Sequence, residues 1–212
     1  MPLIVAIDGP AAAGKGTLAR RIAQQFGLPY LDTGKLYRAV GRLVLQAAET
    51  PTHEAAALRA AQALKPADLE RADLRAPDAD KAASEVAAIA SVRATLVDFQ
   101  RRFAAAGAVL DGRDIGTVIF PNATVKLFVT ASLAARAARR YQERLAKGEA
   151  VGLAEVEADM RRRDALDESR AAAPLRPAPD AMVIDTTDLE PEAVFELAVA
   201  RIAQEKKQGQ LF

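Results

Sequence analysis

Leu3-Ile4-Val5-Ala6-Ile7-Asp8 runs directly into Gly9-Pro10-Ala11-Ala12-Ala13-Gly14-Lys15-Gly16-Thr17, and a helical pattern follows to about Phe26, where Gly27 can stop it. An unbroken aliphatic and β-branched run reads as a parallel strand buried on both faces. Glycines and small residues then let the backbone curl, so that successive N–H groups point inward at the start of a helix. Lys15 stands where an ammonium reaches terminal phosphates as a point charge. Strand, loop, lysine and helix together predict a phosphate loop for a nucleoside triphosphate. The strict pattern has Ser or Thr directly after the lysine. Here Gly16 intervenes, and Thr17 is the hydroxyl candidate for magnesium.

Outward from that loop, strands and helices alternate. Short apolar strands are predicted at Pro29 to Leu31, Ala108 to Leu110, Val125 to Val129 and Ala181 to Ile184. Helices are predicted from Thr33 to about Glu49, across Lys81 to Ala106 in two pieces meeting near Ala90-Ser91, and from Leu133 to Lys147. Two more are predicted, from about Leu153 to Arg170 and from Pro191 to Lys206, with Gly148 to Gly152 as a break and Ala172 to Pro179 as a linker. Thr50 to Asp80 carries Pro51, Pro66 and Pro77 and no alternating strand, so it reads as a small helical excursion. The rhythm implies an α/β fold, a central mostly parallel sheet with helices on both faces.

Composition narrows the function classes. Across 212 residues, 29 Lys+Arg against 28 Asp+Glu leave no net basic field to collect nucleic acid, and 5% aromatics offer few stacking platforms. No cysteine is present, which removes thiolate metal sites and thiol nucleophiles, and the single His53 builds no zinc site. No apolar run approaches the roughly 18 residues that cross a bilayer, and the amino terminus lacks a basic leader. The expectation is a cytoplasmic monomer with no membrane or nucleic-acid partner. The predicted strand at 108–110 ends in Asp111-Gly112; beside a phosphate loop, such an acid suits magnesium, directly or through water.

Three further blocks carry a resemblance. They are Leu31-Asp32-Thr33-Gly34-Lys35-Leu36-Tyr37-Arg38, Asp111-Gly112-Arg113-Asp114-Ile115-Gly116-Thr117-Val118-Ile119-Phe120-Pro121, and Arg163 to Arg170 followed by Ala173-Pro174-Leu175. With Lys-Gly-Thr after the loop glycine, they occur in the order found in bacterial cytidylate kinases, which the chain resembles over nearly its whole length. Adenylate kinases, with Leu-Arg after Thr-Gly and Phe-Pro-Arg after Asp-Gly, are less similar. The resemblance implies a P-loop kinase fold in one domain: a core of about 1–38, 94–140 and 180–212, a monophosphate-binding insert of about 39–93, and an arginine lid of about 141–170. In the family that insert contains short antiparallel strands, for which Thr50 to Asp80 gives no signal.

The implied reaction is transfer of the γ-phosphoryl group of ATP, with Mg2+, to CMP or dCMP. Gly9 through Thr17, with lid residues Arg136 and Arg140, would bind ATP, and Thr17 and Asp111 would serve the metal. Thr33, Arg38, Arg113 and Arg170 would hold the acceptor phosphate. Ser84, Arg93 and Asp114 would read the cytosine edge, with Arg75 near the insert's end, and Arg163 with Asp167 would contact the sugar. Lys15, Arg113, Asp114 and Arg140 would carry the catalysis. Residue chemistry agrees, because Arg forks meet phosphate oxygens two at a time. Arg136, Arg140 and Arg144 share a helix face, as do Arg163, Asp167 and Arg170, so a lid could close over the triphosphate.

Overall fold

The computed structural model describes residues 2–75, 77–170 and 173–209. Two compact units emerge: Met1–Leu31 with Ala106–Phe212, and Asp32–Ala105.

The first unit is built on a five-stranded sheet. Its strands are β1 (Ile4–Asp8), β2 (Tyr30–Asp32), β3 (Ala108–Gly112), β4 (Val125–Thr130) and β5 (Met182–Asp185), in the spatial order β2-β3-β1-β4-β5. β1 runs parallel to β3 and β4, and β4 parallel to β5, with Ile7 beside both Asp111 and Leu127. Helices α1 (Lys15–Phe26) and α8 (Pro191–Gly209) follow β1 and β5. Leu18 and Ile22 of α1 and Val194, Ala198 and Ile202 of α8 bury a common core with Val5, Ile7, Val109, Leu127 and Val129. Val5 and Ile7 point to these helices, so the period of two sends Ala6 and Asp8 to the opposite face.

A second pair, α6 (Leu133–Ala146) and α7 (Leu153–Ser169), forms a helical hairpin. Ser132 caps α6 by accepting from the Ala135 N–H at 3.2 Å. Ala137, Val156 and Met160 make a small apolar cluster that includes Ala11 and Ala12 of the loop. The hairpin therefore packs on the phosphate loop through carbon as well as charge. Ala172 of the predicted linker lies outside the described residues. Leu175 beyond it is buried and donates its N–H to the Asp167 carbonyl at 2.8 Å.

The second unit is helical: α2 (Thr33–Gln46), α3 (Glu54–Ala63), α4 (Pro77–Ala87) and α5 (Ala90–Phe103). Between α3 and α4 lie two tight 3₁₀ turns, Pro66–Glu70 and Ala72–Arg75. No strand occurs among the described residues of 50–80. Alanine carries the lowest intrinsic cost in a helix, and Pro66 and Pro77 sit at first helical positions, where the missing N–H costs nothing. Leu36, Val40, Val86, Val92 and Leu96 are almost wholly buried there. α2 ends at Gln46, three residues before the expected Glu49. Ala48 turns left-handed (φ 55°), and the Glu49 N–H closes back on the Val44 carbonyl.

Candidate active site

The carboxyl ends of β1 and β3, where open parallel sheets bind ligands, bring several of the expected residues together. Gly9 takes φ 146°, and a Cβ there would fall 1.9 Å from the Val129 carbonyl oxygen, so only glycine permits this approach. Ala12 (φ 57°) and Gly14 (φ 92°) also lie in the left-handed region, giving the loop the curl that turns N–H groups inward. Holding Ala12 there costs on the order of 1 kcal/mol.

Lys15 is buried, and its Nζ donates to the Pro10 carbonyl at 2.6 Å. Burial, followed by the nearby Arg113 and Arg163 cations, pushes its pKa down to about 7 against the pull of Asp111 and Asp8. Three positive side chains thus act on one another here. Such a place favours an incoming polyanion.

Asp111 accepts from the Tyr30 hydroxyl at 3.3 Å. A Cβ on Gly16 would stand 3.3 Å from Asp111 Oδ2 and 3.5 Å from the Tyr30 oxygen, so the glycine after the lysine leaves room for this pair. Thr17, one residue on, is exposed in the first turn of α1.

Arg113 and Asp114 follow β3. Arg113 Nε donates to Asp167 Oδ2 at 2.7 Å, and Arg170 Nη2 lies 2.5 Å from Oδ1. Asp167 is only 2% exposed. Burial pushes its pKa up, but Arg113, Arg170 and Arg163 together hold it below the ordinary carboxylate value. Asp114 is buried close enough to Asp8 to raise the Asp8 pKa. Of the hairpin arginines, Arg136 is buried and bonds the Ala131 carbonyl (2.9 Å), Asp164 (2.7 Å) and the loop carbonyl of Ala11 (3.4 Å). Arg140 pairs with Glu143 at 3.0 Å, and Arg144 with Glu149 at 2.7 Å.

In the second unit, Thr33 is buried at the start of α2, behind Asp32, which accepts from the Lys35 N–H at 3.3 Å. Arg38 donates from Nε to Asp80 at 2.9 Å and lies 3.9 Å from Asp32. Ser84 Oγ donates to the Asp80 carbonyl at 3.0 Å. Arg93 is buried, its guanidinium 5.8 Å from the Tyr37 ring centroid, and is no solvated helix-face arginine. The side chain of Arg75 lies outside the described residues.

Several polar groups outside the expected site residues organise the first unit. Asp8 accepts from the Ile115 and Gly116 N–H groups at 2.8 and 2.7 Å. Asp164 anchors Arg136. Thr186 Oγ1 lies 3.2 Å from the Ala13 carbonyl and 3.1 Å from the Thr130 carbonyl, and receives Arg139 at 2.9 Å. The only advance signal was position: Asp8 and Thr186 stand at or just past strand ends, beside the loop.

A family model described as cytidylate kinase matches residues 5–204. A cytidylate kinase of Acidiphilium cryptum (strain JF-5) is 59% identical over 198 residues, covering 93% of each chain. One of Granulibacter bethesdensis (strain ATCC BAA-1260 / CGDNIH1) is 59% identical over 199 residues, covering 93% of this chain and 95% of its own. Among solved structures, an uncharacterized protein from Eubacterium ventriosum ATCC 27560 superposes with TM-score 0.55 at 14% identity, over 95% of this chain and 98% of that one. That likeness concerns the fold alone.

Proposed function

The chain belongs to the cytidylate kinase family, a family of phosphotransferases, and we propose that it moves the ATP γ-phosphoryl group to CMP or dCMP through the residues assigned above. The observation that carries this reading is the buried Lys15 crowded by Arg113 and Arg163 at the mouth of a phosphate loop. No covalent enzyme intermediate is expected. Positioning and electrostatic stabilisation of an in-line transfer supply the catalysis.

Each group then has a task. Loop N–H groups and Lys15 grip the β- and γ-phosphates. Arg113 neutralises charge on the transferred group and, with Arg170, Thr33 and Arg38, holds the acceptor phosphate. Arg136 and Arg140 belong to the ATP side of the lid. Asp114, Ser84 and Arg93 select the base, and Arg163 and Asp167 the sugar. The burial of Arg93 beside the Tyr37 ring supports a recognition role for it.

Magnesium fits the donors present. Asp111 and Thr17 offer hard oxygen ligands, and magnesium commonly takes one or two carboxylates plus substrate phosphates. Bound with ATP, it would neutralise phosphate charge. Among the described residues no cluster of three or more His, Asp or Glu side chains is placed to hold a metal alone. This accords with an ion that arrives with the nucleotide. No described helix is long and apolar enough to cross a membrane. With nearly balanced charge, the reading is of a monomer acting on free nucleotides in the cytoplasm, without a nucleic-acid partner.

A coupled assay of ADP release across all ribo- and deoxyribonucleoside monophosphates tests the proposal. CMP and dCMP should give the highest kcat/KM. Preference for AMP or GMP would overturn the acceptor assignment.

A further inference from the structure

Asp8 stands outside every role given so far, yet it joins β1 to the residues after β3 through two short hydrogen bonds. We propose that Asp8 is a positioning residue for phosphoryl transfer: its carboxylate fixes the backbone of Ile115 and Gly116 and so sets where Arg113 and Asp114 stand. The inference rests on the roles proposed for those two residues.

The chain forces the arrangement. Alternation along β1 sends Asp8 to the face opposite the α1–α8 core. On that face Ile115–Ile119 forms a single wide turn, in which the Ile119 N–H reaches the Asp114 carbonyl at 3.1 Å and the Phe120 N–H reaches the Ile115 carbonyl at 2.7 Å. Like any helical start, such a turn leaves its first N–H groups without partners of its own. Ile115 is fully buried, so water is a poor substitute there. Asp8 Oδ1 takes the Ile115 N–H and Oδ2 takes the Gly116 N–H, one oxygen for each.

The fit is close on every side. A Cβ on Gly116 would lie 3.3 Å from Asp8 Oδ2 and 3.2 Å from Lys126 Cδ. Lys126 is itself buried and tied to Asp180 at 2.8 Å, and it also donates to the Pro121 carbonyl. The turn is therefore held from β1 on one side and β4 on the other. Arg113 and Asp114 immediately precede it, with Asp114 N-terminal to the first clamped N–H. Displacing the clamp by a fraction of an ångström moves a guanidinium whose value depends on geometry.

Two substitutions at opposite ends of the contact test this. Asp8→Asn keeps the shape but turns one oxygen into an NH2 that faces an N–H. Gly116→Ala leaves Asp8 intact and pushes on its carboxylate, and it remains available if the first variant folds poorly. Each should lower kcat/KM for CMP about tenfold while the Kd for ATP stays within about threefold, and the double variant should be no worse than the worse single one. Additive losses, an equal loss of ATP affinity, or unchanged kcat/KM in either folded variant would overturn the proposal. Arg113→Ala serves as reference. If it leaves CMP kinetics untouched, the site assignment itself fails. If it impairs them while Asp8→Asn does not, only the positioning role fails.

Discussion

Arg113 Nε and Asp167 Oδ2 are 2.7 Å apart, and the same carboxylate holds Arg170 through its other oxygen. One buried acid thus orients two arginines assigned to the acceptor phosphate, across 54 residues of sequence in the first case. Asp167 is both a staple and a candidate sugar contact, and the two roles separate in experiment. Asp167→Asn should lower kcat/KM for the acceptor by about 1–3 kcal/mol of transition-state stabilisation, as when a buried polar partner is lost. It should also shift the CMP to dCMP ratio, because the two sugars offer different hydroxyls. A lower Tm with an unchanged ratio would leave Asp167 a staple only.

Lys15→Ala should cut turnover at least about 100-fold, the scale seen when a transition-state charge stabiliser is removed. The lysine is buried, with the charges of Arg113 and Arg163 near it. Steady-state kinetics on a folded variant checks this. Near-normal turnover would refute the loop's assignment.

Arg38→Ala should act on the acceptor rather than on ATP. Its guanidinium is held by Asp80 and Asp32 within the helical second unit, apart in sequence from the phosphate loop. A Cβ on Gly34 would approach Arg38 Nη1 to 3.2 Å, so the glycine of Asp-Thr-Gly keeps space for that arginine. The expected result is a raised KM for CMP or a lowered kcat, with ATP titration changed little. Selective loss of ATP affinity would count against the role.

The local signals and the long-range ones fared differently in the sequence. α1 begins at Lys15 and ends at Phe26 with Gly27 in the left-handed conformation, as loop and glycine suggested, because its start and stop are encoded by neighbours. The helical reading of 50–80 held among the described residues for the same reason: alanine and proline act locally. The wide turn at Ile115–Ile119 was not legible. Asp111-Gly112-Arg113-Asp114 has no periodicity, and the acceptor that stabilises the turn sits 107 residues upstream at Asp8. Spacing put Arg136 on one helix face with Arg140 and Arg144 but gave no sign of its partners Asp164 and Ala11, which come from another helix and from the loop. Such pairings depend on strand register and helix packing, which spacing alone does not reveal.

Amide exchange in the hairpin should respond to both nucleotides together. α6 and α7 pack on Ala11 and Ala12 through Ala137, Val156 and Met160, but Leu145, Leu153 and Leu166 remain exposed. Binding of ATP and CMP analogues should slow exchange across Arg136 to Arg170, since closure protects amides that open locally. Hydrogen exchange read by mass spectrometry would detect it. Unchanged protection over the whole span would contradict a closing lid.

Stability should carry the imprint of Asp8 in a defined pH window. Burial pushes its pKa up to about 6, Asp114 adds to the rise, and the Gly116 and Ile115 N–H groups and Lys15 act the other way. The folded chain therefore binds this proton more tightly than the unfolded chain, whose carboxyl keeps its ordinary value of 3.8. The stabilisation is full below pH 3.8 and disappears as pH rises through about 6. Lys15 has a depressed pKa, so its contribution is present above pH 10.5 and lost as pH falls through about 7, which keeps the two windows apart. Asp8→Asn cannot titrate. Between about pH 6.5 and about pH 4, the unfolding free energy of the wild type relative to this variant should rise by on the order of 2–3 kcal/mol, the free-energy equivalent of a carboxyl raised from 3.8 to about 6. Urea unfolding of both proteins at half-unit pH steps measures it. A constant difference across that range would mean that Asp8 titrates as an ordinary carboxylate, despite its burial.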